Sequence, residues 1–414
     1  MNRGVLSGRH EFVHPVGTTA FGDQTLSQKP GRTTNSTAFG YQALTALTTG
    51  LNNTAFGYQA LTAVTTGGSN VAIGSSALAA NQGATNNIAI GTSAQRNGTG
   101  IASSNVAIGS SAMLSNVDGS QCIAIGTGAL GAANISDVIA IGHQALAANS
   151  SGASNVAIGV TALNISTTLA NTVAVGFEAM KSATNAAAQN TAVGYQALKV
   201  SAAAECTAVG YQALTVNTGA SNAAFGNGAL AANTSGQQNT AVGRLALNAN
   251  ISSSNNTAVG QAALDLCTVA DNTAVGGAAL VGLTTGIRNT AVGSGSGVTA
   301  TNGNKTVVGA NNVFVGYNTG PSDTTDPSNT VAVGYQAVVK GTGALALGSG
   351  ASAIHANAVA LGMSTTTTAA NQVMVGPNDL EITSSAKGLV LVDTVGGARY
   401  RVQITSGALV ATAL

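Results

Sequence analysis

A short phrase recurs from one end of the chain to the other: a polar residue, Thr or Val, Ala, an apolar residue such as Val, Ile or Phe, and then Gly. Examples are NTAFG at 53–57, NVAIG at 70–74 and NTAVG at 190–194. Roughly two dozen copies lie between Thr18 and Gly376. Repeats of this size indicate a chain that stacks one small structural unit many times, and they argue against an ordinary globular domain.

The glycines that end the phrase give its period, which is about 17 residues over most of the chain and about 14 near its end. The first series is Gly22, Gly40, Gly57, Gly74, Gly91, Gly109, Gly126, Gly142, Gly159, Gly176, Gly194, Gly210, Gly226, Gly243, Gly260, Gly276, Gly293 and Gly309, with Gly316 and Gly334 after it. The second is Gly348, Gly362 and Gly376. We therefore expect an all-β, parallel β-roll or β-solenoid of about two dozen coils, a rod on the order of 110 Å long.

Composition excludes several classes of protein. Only 7% of the 414 residues are charged, where a globular domain would have about a quarter. No apolar run is long enough for a transmembrane helix, and the N-terminus lacks the apolar core of a signal peptide. A net charge of +1 gives no basic surface for nucleic acid. Collagen triplets, coiled-coil heptads and a repeated calcium-binding Asp are also missing.

Residues inside the phrase alternate in direction, as in any β-strand. The two outer residues are β-forming and share one face, whereas the middle residue is almost always Ala. A column held to Ala suggests that another backbone approaches closely, so we expect this column to contact a neighbouring chain. The interface candidates are Ala38, Ala55, Ala72, Ala89, Ala107, Ala124, Ala157 and Ala192. The Asn residues that open the phrase, such as Asn53 and Asn70, are expected to form a structural ladder from coil to coil.

The phrase resembles the head repeat of trimeric autotransporter adhesins, the YadA-like head, because Asn-Val-Ala-Ile-Gly is followed two residues later by Ala. The longer version Asn-Thr-Ala-Val-Gly-Tyr-Gln-Ala-Leu at 190–198 resembles repeats of bacteriophage tail-fibre proteins. The resemblance covers roughly nine-tenths of the chain. It implies a left-handed parallel β-roll and a homotrimer that binds a surface.

Departures from the adhesin pattern favour a virion. That family carries a secretion signal, a coiled-coil stalk and a membrane anchor, and we recognise none of these in this sequence. The last thirty residues or so instead resemble the short β-hairpin cap of phage tail proteins, with an edge strand over Arg399–Ile404. We expect a trimeric tail fibre that contacts the host surface. A head, neck or decoration fibre with a purely structural role, and a bacterial adhesin head, remain alternatives.

The chain divides into five segments. Residues 1–17 are expected to attach to a virion tail or baseplate protein, with a disordered tail as the alternative. Residues 18–300 form the shaft, 301–330 an irregular transition, 331–384 the tighter coils and 385–414 the cap, whose tip is the expected contact region. Such a protein would be assembled in the host cytoplasm and located on the virion. It would have no membrane insertion and no nucleic-acid partner.

One repeated position could bind a host-surface glycan or protein. Tyr-Gln pairs follow the glycine in several copies, and exposed aromatic rings beside amides suit sugars; alternatively, the rings pack between chains with their hydroxyls in water. The surface-binding candidates are Tyr41, Tyr58, Tyr195, Tyr211 and Tyr335, together with Arg399, Tyr400 and Arg401 in the cap.

Residues that could suggest an enzyme have simpler explanations. His143 is interpreted as a variant of the tyrosine position, and Asp323 and Asp326 as part of a polar loop bounded by prolines. Cys122 and Cys206 replace the Asn that opens the phrase and Cys267 falls in a loop, so we expect three reduced thiols. We predict no catalytic residue, no cofactor and no metal site.

Overall fold

The computed structural model describes residues 18–26, 35–98, 102–132, 134–184, 188–298, 309–322 and 327–376, together with the backbone of three strands between 389 and 413. Thirty strands and no helix occur in this described part of the chain. Most strands have only three residues, because a turn follows each copy of the phrase.

The strands are, in chain order, β1 (Thr19–Phe21), β2 (Thr37–Phe39), β3 (Thr54–Phe56), β4 (Val71–Ile73), β5 (Ile88–Ile90), β6 (Val106–Ile108), β7 (Ile123–Ile125), β8 (Ile139–Ile141), β9 (Val156–Ile158), β10 (Val173–Val175), β11 (Thr191–Val193), β12 (Val200–Ser201), β13 (Thr207–Val209), β14 (Val216–Asn217), β15 (Ala223–Phe225), β16 (Thr240–Val242), β17 (Thr257–Val259), β18 (Thr273–Val275), β19 (Thr290–Val292), β20 (Val313–Val315), β21 (Gly320–Pro321), β22 (Val331–Val333), β23 (Val338–Val339), β24 (Leu345–Leu347), β25 (Ser352–Ala353), β26 (Val359–Leu361), β27 (Val373–Val375), β28 (Leu389–Val392), β29 (Arg399–Thr405) and β30 (Ala408–Ala413).

One parallel sheet of 22 strands runs along the rod. Each of its strands pairs with the corresponding strand of the next coil without any stagger, so that Ala38 lies opposite Ala55 and Ala55 opposite Ala72. The ladder is continuous from β1 to β27. The predicted all-β parallel β-solenoid is therefore confirmed, with 22 rungs in this ladder. Handedness and trimerisation stay predictions.

The core of each coil is built from three columns. The middle residue of each main-sheet strand from β2 to β26 points inward, and so do the Ala and Leu that come three and four residues after the glycine, such as Ala60 and Leu61. These residues are fully buried in a single chain. The turn that returns Leu61 to the core requires left-handed backbone at both Gln59 (φ 56°) and Leu61 (φ 53°), a conformation that L-residues rarely adopt.

The Asn residues that open the phrase form a buried ladder, as predicted. The backbone N–H of Asn70 donates to Oδ1 of Asn53 (3.0 Å), and the N–H of Asn87 donates to Oδ1 of Asn70 (3.0 Å). Several of the side-chain amides also donate to a carbonyl at the far corner of their coil, as Asn70 does to Ala84 at 2.9 Å. The ladder therefore provides partners for polar groups that the coil buries.

The two periods correspond to two coil shapes. Around the start of the shorter coils, β21, β23 and β25 form a second parallel sheet. A smaller sheet of the same kind, formed by β12 and β14, lies in the middle of the shaft. Within the predicted transition, β20 continues the main ladder from β19. The glycine next to Gly293 in the stack is Gly316, so the prediction that Gly309 continues the series is wrong.

The C-terminal strands form a separate antiparallel sheet in the order β28–β29–β30. The predicted edge strand over Arg399–Ile404 is wrong, because β29 pairs with β28 on one side and with β30 on the other. A third strand, Ala408–Ala413, occupies the edge position that the sequence pattern predicts for Arg399–Ile404. Alternation along a strand shows which residues share a face, and it carries no information on the strand's neighbours in the sheet.

Candidate functional site: the strand face and the tyrosine column

The strand face consists of the first and third residues of the 22 strands in the main sheet. The third residue is Phe, Ile, Val or Leu in every strand, and the first is Thr, Val, Ile or Leu except at Ala223. None of these residues is charged. The exposed apolar members are Phe21, Phe56, Ile73, Ile88, Ile158, Val173, Phe225, Val242, Val275, Val292, Val313, Val315, Leu347, Val373 and Val375.

The Ala column lies on the opposite side of the strand from the strand face. Ala38, Ala55, Ala72, Ala89, Ala107, Ala124, Ala157 and Ala192 are all 0% exposed in the single chain. The prediction that these residues contact a neighbouring chain is therefore wrong, because their side chains point into the core of their own chain. Their side chains are small because the Leu of the following turn fills the narrow coil from the other side. The first and third residues of each strand point away from this core and form the strand face.

A polar column borders the strand face on its N-terminal side. Two residues before the main-sheet strands from β2 to β27, the chain adopts a left-handed conformation at a polar residue, as at Asn52 (φ 59°) and Asp271 (φ 62°), or at Gly343 before β24. Neighbours in this column bond to each other, and the amide of Asn255 donates to the carboxylate of Asp271 at 3.1 Å. The strand face is thus an apolar stripe with a polar margin, the arrangement typical of protein interfaces.

The tyrosine column lies on the other side of the glycines. Tyr41 and Tyr58 stack with ring centroids 5.5 Å apart, and Tyr195 and Tyr211 stack at 5.0 Å. Each of these rings is between 39% and 51% exposed. The predicted column is therefore a set of short aromatic stacks along the rod.

Two aromatic residues extend these stacks and were not among the sequence candidates. Phe177 stacks on Tyr195 at 5.3 Å, and Tyr317 stacks on Tyr335 at 5.6 Å. Both follow a repeat glycine, so their position in the phrase was the signal that could have identified them. Because facing rings cover one another inside a stack, the ring edges and the tyrosine hydroxyls are the parts that extend outward.

An amide ladder runs beside the aromatic stacks and ends at a carboxylate. Gln212 donates to Gln196 at 3.0 Å, and Gln196 donates to Glu178 at 2.8 Å. Lys181 and Lys199 pair with the same carboxylate at 2.7 and 2.8 Å. The Lys181 hydrogen bond, followed by those from Lys199 and Gln196, lowers the pKa of Glu178 from 4.5 to about 2. Glu178 is therefore ionised at neutral pH and binds Gln196 and Lys199 of the next coil.

The residues considered for catalysis do not form a site within the described chain. His143 is exposed in the tyrosine column, as predicted. Cys122, Cys206 and Cys267 are free and buried, and burial raises the pKa of each thiol, for Cys267 to about 11. No group of three His, Cys, Asp or Glu residues could hold a metal ion in the part of the chain that was searched. Asp323 and Asp326 lie outside the described residues.

The remaining candidates are only partly described. Arg399, Tyr400 and Arg401 belong to β29, but their side chains lie outside the described part. Residues 1–17, the predicted attachment segment, also lie outside it. No helix long and apolar enough to cross a membrane occurs among the residues that were searched.

Comparison with known proteins found no family model that matches this chain and no curated protein that resembles it significantly.

Proposed function

We propose that this chain is the subunit of a structural fibre, a homotrimeric bacteriophage tail fibre that contacts the host cell surface. The observation that carries the proposal is the strand face: an uncharged, largely apolar stripe that continues over 22 rungs. Exposed apolar stripes of this extent are typical of association surfaces. A long rod with such a face suits a protein that holds another part in position or binds a surface, and the repeat resembles those of fibres and adhesins.

The dimensions of the strand face suit association between copies. Rungs spaced by ~4.8 Å give a stripe about 100 Å long, and two residues of strand add a width of ~7 Å. The resulting area is on the order of 700 Å², close to the ~800 Å² per partner of a stable protein interface. Association through this face would also shield the apolar side chains that a single chain leaves in water.

The chemistry of the strand face changes along the rod and favours parallel copies. The first strand position is aliphatic from Val71 to Val173, and it is Thr, apart from Ala223, from Thr191 to Thr290. Parallel copies in the same axial position place aliphatic residues against aliphatic residues and threonines against threonines. Antiparallel copies would place aliphatic rungs against threonine hydroxyls, at a cost in unpaired polar groups.

Contact with the host is assigned to the tyrosine column and to the C-terminal strands. The hydroxyls and edges of Tyr41, Tyr58, Tyr195, Tyr211 and Tyr335 could bond a glycan or a protein, and Arg399, Tyr400 and Arg401 add polar and charged groups near the far end. The attachment segment would be 1–17, joined to a tail or baseplate protein.

Cryo-electron microscopy of particles that carry this chain tests the proposal. The expected result is three copies that project from the tail with the C-terminal strands outermost. Copies on the head or neck, or lying flat against the particle, would instead identify a decoration fibre. Location on a bacterial surface, outside any virion, would identify an adhesin head and contradict the phage assignment.

A further inference from the structure

Two neighbouring coils of the shaft bury three side-chain atoms, on Asn81 and Gln95, that have no hydrogen-bond partner. Gln95 takes the core position that Leu78 and Met113 hold in the coils before and after it, and it is 0% exposed. Neither its Oε1 nor its Nε2 makes a hydrogen bond, and the Nδ2 of the buried Asn81 makes none either. A buried amide without a partner destabilises a fold, so three such atoms in two adjacent coils require an explanation.

Comparison with equivalent corners shows that Asn81 is the exception. Asn116, Asn149 and Asn250 occupy the same corner in other coils, and the side-chain amide of each donates to the carbonyl three residues later at 2.8–3.1 Å. Asn81 accepts from the N–H of Ala84 at 3.0 Å in the same manner, but its Nδ2 donates to nothing. The carbonyl of Ala84 is bonded by Asn70 instead.

A glycine lies at the corner next to these amides. Gly98 occupies, in the Gln95 coil, the corner position of Asn81 and Asn116. A Cβ atom at Gly98 would lie 3.0 Å from the carbonyl oxygen of Asn116, 3.7 Å from Nδ2 of Asn81 and 3.9 Å from the backbone carbonyl oxygen of Gln95. Other coils fill this corner with side chains as large as those of Leu47 and Val64. The unpartnered Nδ2 of Asn81 therefore borders a position at which other coils carry a side chain, and Gln95 belongs to the same coil as that position.

We infer that the interior between these two coils encloses buried water, held by the side-chain amides of Gln95 and Asn81 next to Gly98. Two unpartnered NH₂ groups require an acceptor and one carbonyl oxygen requires a donor, and water supplies both in one small molecule. A cation would be repelled by the two NH₂ groups, and an anion would meet the Gln95 oxygen and the apolar side chains of Leu78 and Met113. The corner amides of Asn116, Asn149 and Asn250 are bonded to the protein and need no such water.

A crystal structure at a resolution that shows ordered water tests this inference. We expect density within hydrogen-bonding distance of the Gln95 amide and of Asn81 Nδ2. Gln95→Leu should lose that density and should raise the midpoint of thermal unfolding, because it restores the Leu of the core column. The matched control Met113→Leu, one coil further on, should keep both the water and the midpoint.

Two results would overturn the inference. One is a structure in which the Gln95 and Asn81 amides bond directly to protein atoms, or in which the corner holds no density. The other needs no crystal: if Gln95→Leu lowers the unfolding midpoint while Met113→Leu does not, the amide makes direct protein contacts that Leu cannot replace.

Discussion

At the scale of single residues, the repeat depends on backbone conformations that most sequences avoid. Leu61 and its equivalents adopt left-handed backbone, which costs an L-residue roughly 1–2 kcal/mol. Full burial of the leucine side chain contributes about 1.5–3 kcal/mol, so burial offsets the strain. Nothing in the phrase Gly-Tyr-Gln-Ala-Leu indicates this conformation, because Gln and Leu have no preference for it. The sequence therefore predicted the buried Leu but not the turn that buries it.

The repeat glycines should be irreplaceable, whereas glycines in open loops should not. Gly57 has φ 137°, and a Cβ there would lie 2.5 Å from the carbonyl oxygen of Gly74. Gly57→Ala should therefore destabilise the fold by at least about 2 kcal/mol, through strain and the clash with the next coil. At Gly83 the nearest atom to a new Cβ is 3.7 Å away, so Gly83→Ala is the matched control. Equal loss of stability in thermal unfolding of the two variants would contradict this account.

Glu178 should make the thermal stability of the folded chain depend on pH in the acidic range. Its folded pKa is lowered from 4.5 to about 2, so its contribution is complete above pH 4.5 and is lost as the pH falls towards 2. The thermal midpoint of the native chain should thus fall more steeply between pH 5 and about 2 than that of Glu178→Gln, which keeps a side chain able to accept from Gln196. Parallel pH profiles for the two proteins would show that the Lys181 and Lys199 pairs contribute nothing measurable.

The three cysteines should be unreactive until the chain unfolds. All are buried, and desolvation raises the pKa of each thiol, which lowers the fraction of reactive thiolate at neutral pH. An aromatic disulfide reagent should label none of them in the folded protein and all three in guanidinium. Ser151→Cys, at an exposed loop position, provides the positive control. Rapid labelling of a native cysteine in the folded protein would contradict the burial.

At the scale of single coils, strand positions could be predicted more reliably than strand faces. In the described part of the chain, the phrases of the main ladder form strands of three residues, because Val, Ile and Thr favour strands and Gly ends them. Which face is buried could not be deduced from alternation, since both sides of the strand are apolar or small. Volume decides it: a coil already filled by Leu44 or Leu61 leaves room only for Ala on the strand side. The larger Val, Ile and Phe residues are therefore outside.

One coil shows the same volume rule through an exchange of sizes. Gly297 replaces the core Leu of its coil, and Phe314 replaces the core Ala of the next strand. Phe314 is fully buried, and a Cβ on Gly297 would meet both its ring, at 3.2 Å, and Leu280. The large ring thus fills the volume that the missing Leu side chain leaves.

This exchange predicts a favourable coupling between two substitutions. Phe314→Ala alone should cost about 3–5 kcal/mol, because it leaves a cavity in the core. Gly297→Leu alone should also destabilise, through overpacking against Leu280 and the phenylalanine ring. The double variant restores the usual Leu and Ala pair, so it should be more stable than the sum of the single effects by at least about 1 kcal/mol. Additive effects in a double-mutant cycle would contradict the exchange.

At the scale of the whole molecule, the repeat explains why the chain forms a rod, whereas the strand face is the basis for the proposed association of copies. Equivalent positions of the phrase lie opposite one another along the ladder, so every outward side chain becomes part of a continuous column. A repeat that is apolar outside as well as inside makes a stripe that a single chain cannot cover. The number of copies and their location could not be deduced from the phrase, because many partner geometries can cover a flat stripe.

The oligomeric state should depend on the strand face and on no other side of the coil. Ile125→Asp places a charge on the strand face, where it would be desolvated between copies and should prevent association. Thr127→Asp, two residues later and exposed in the tyrosine column, introduces the same charge outside that face. It should associate like the native chain. Circular dichroism of both variants verifies that the solenoid itself is folded.

Native mass spectrometry of the full chain and of these two variants tests the central claim most directly. The account predicts a species of three times the 40.0 kDa chain mass for the native protein and for Thr127→Asp, and a folded single chain for Ile125→Asp. A folded native protein that is monomeric at micromolar concentration would contradict it, and so would an Ile125→Asp variant that still forms the trimer.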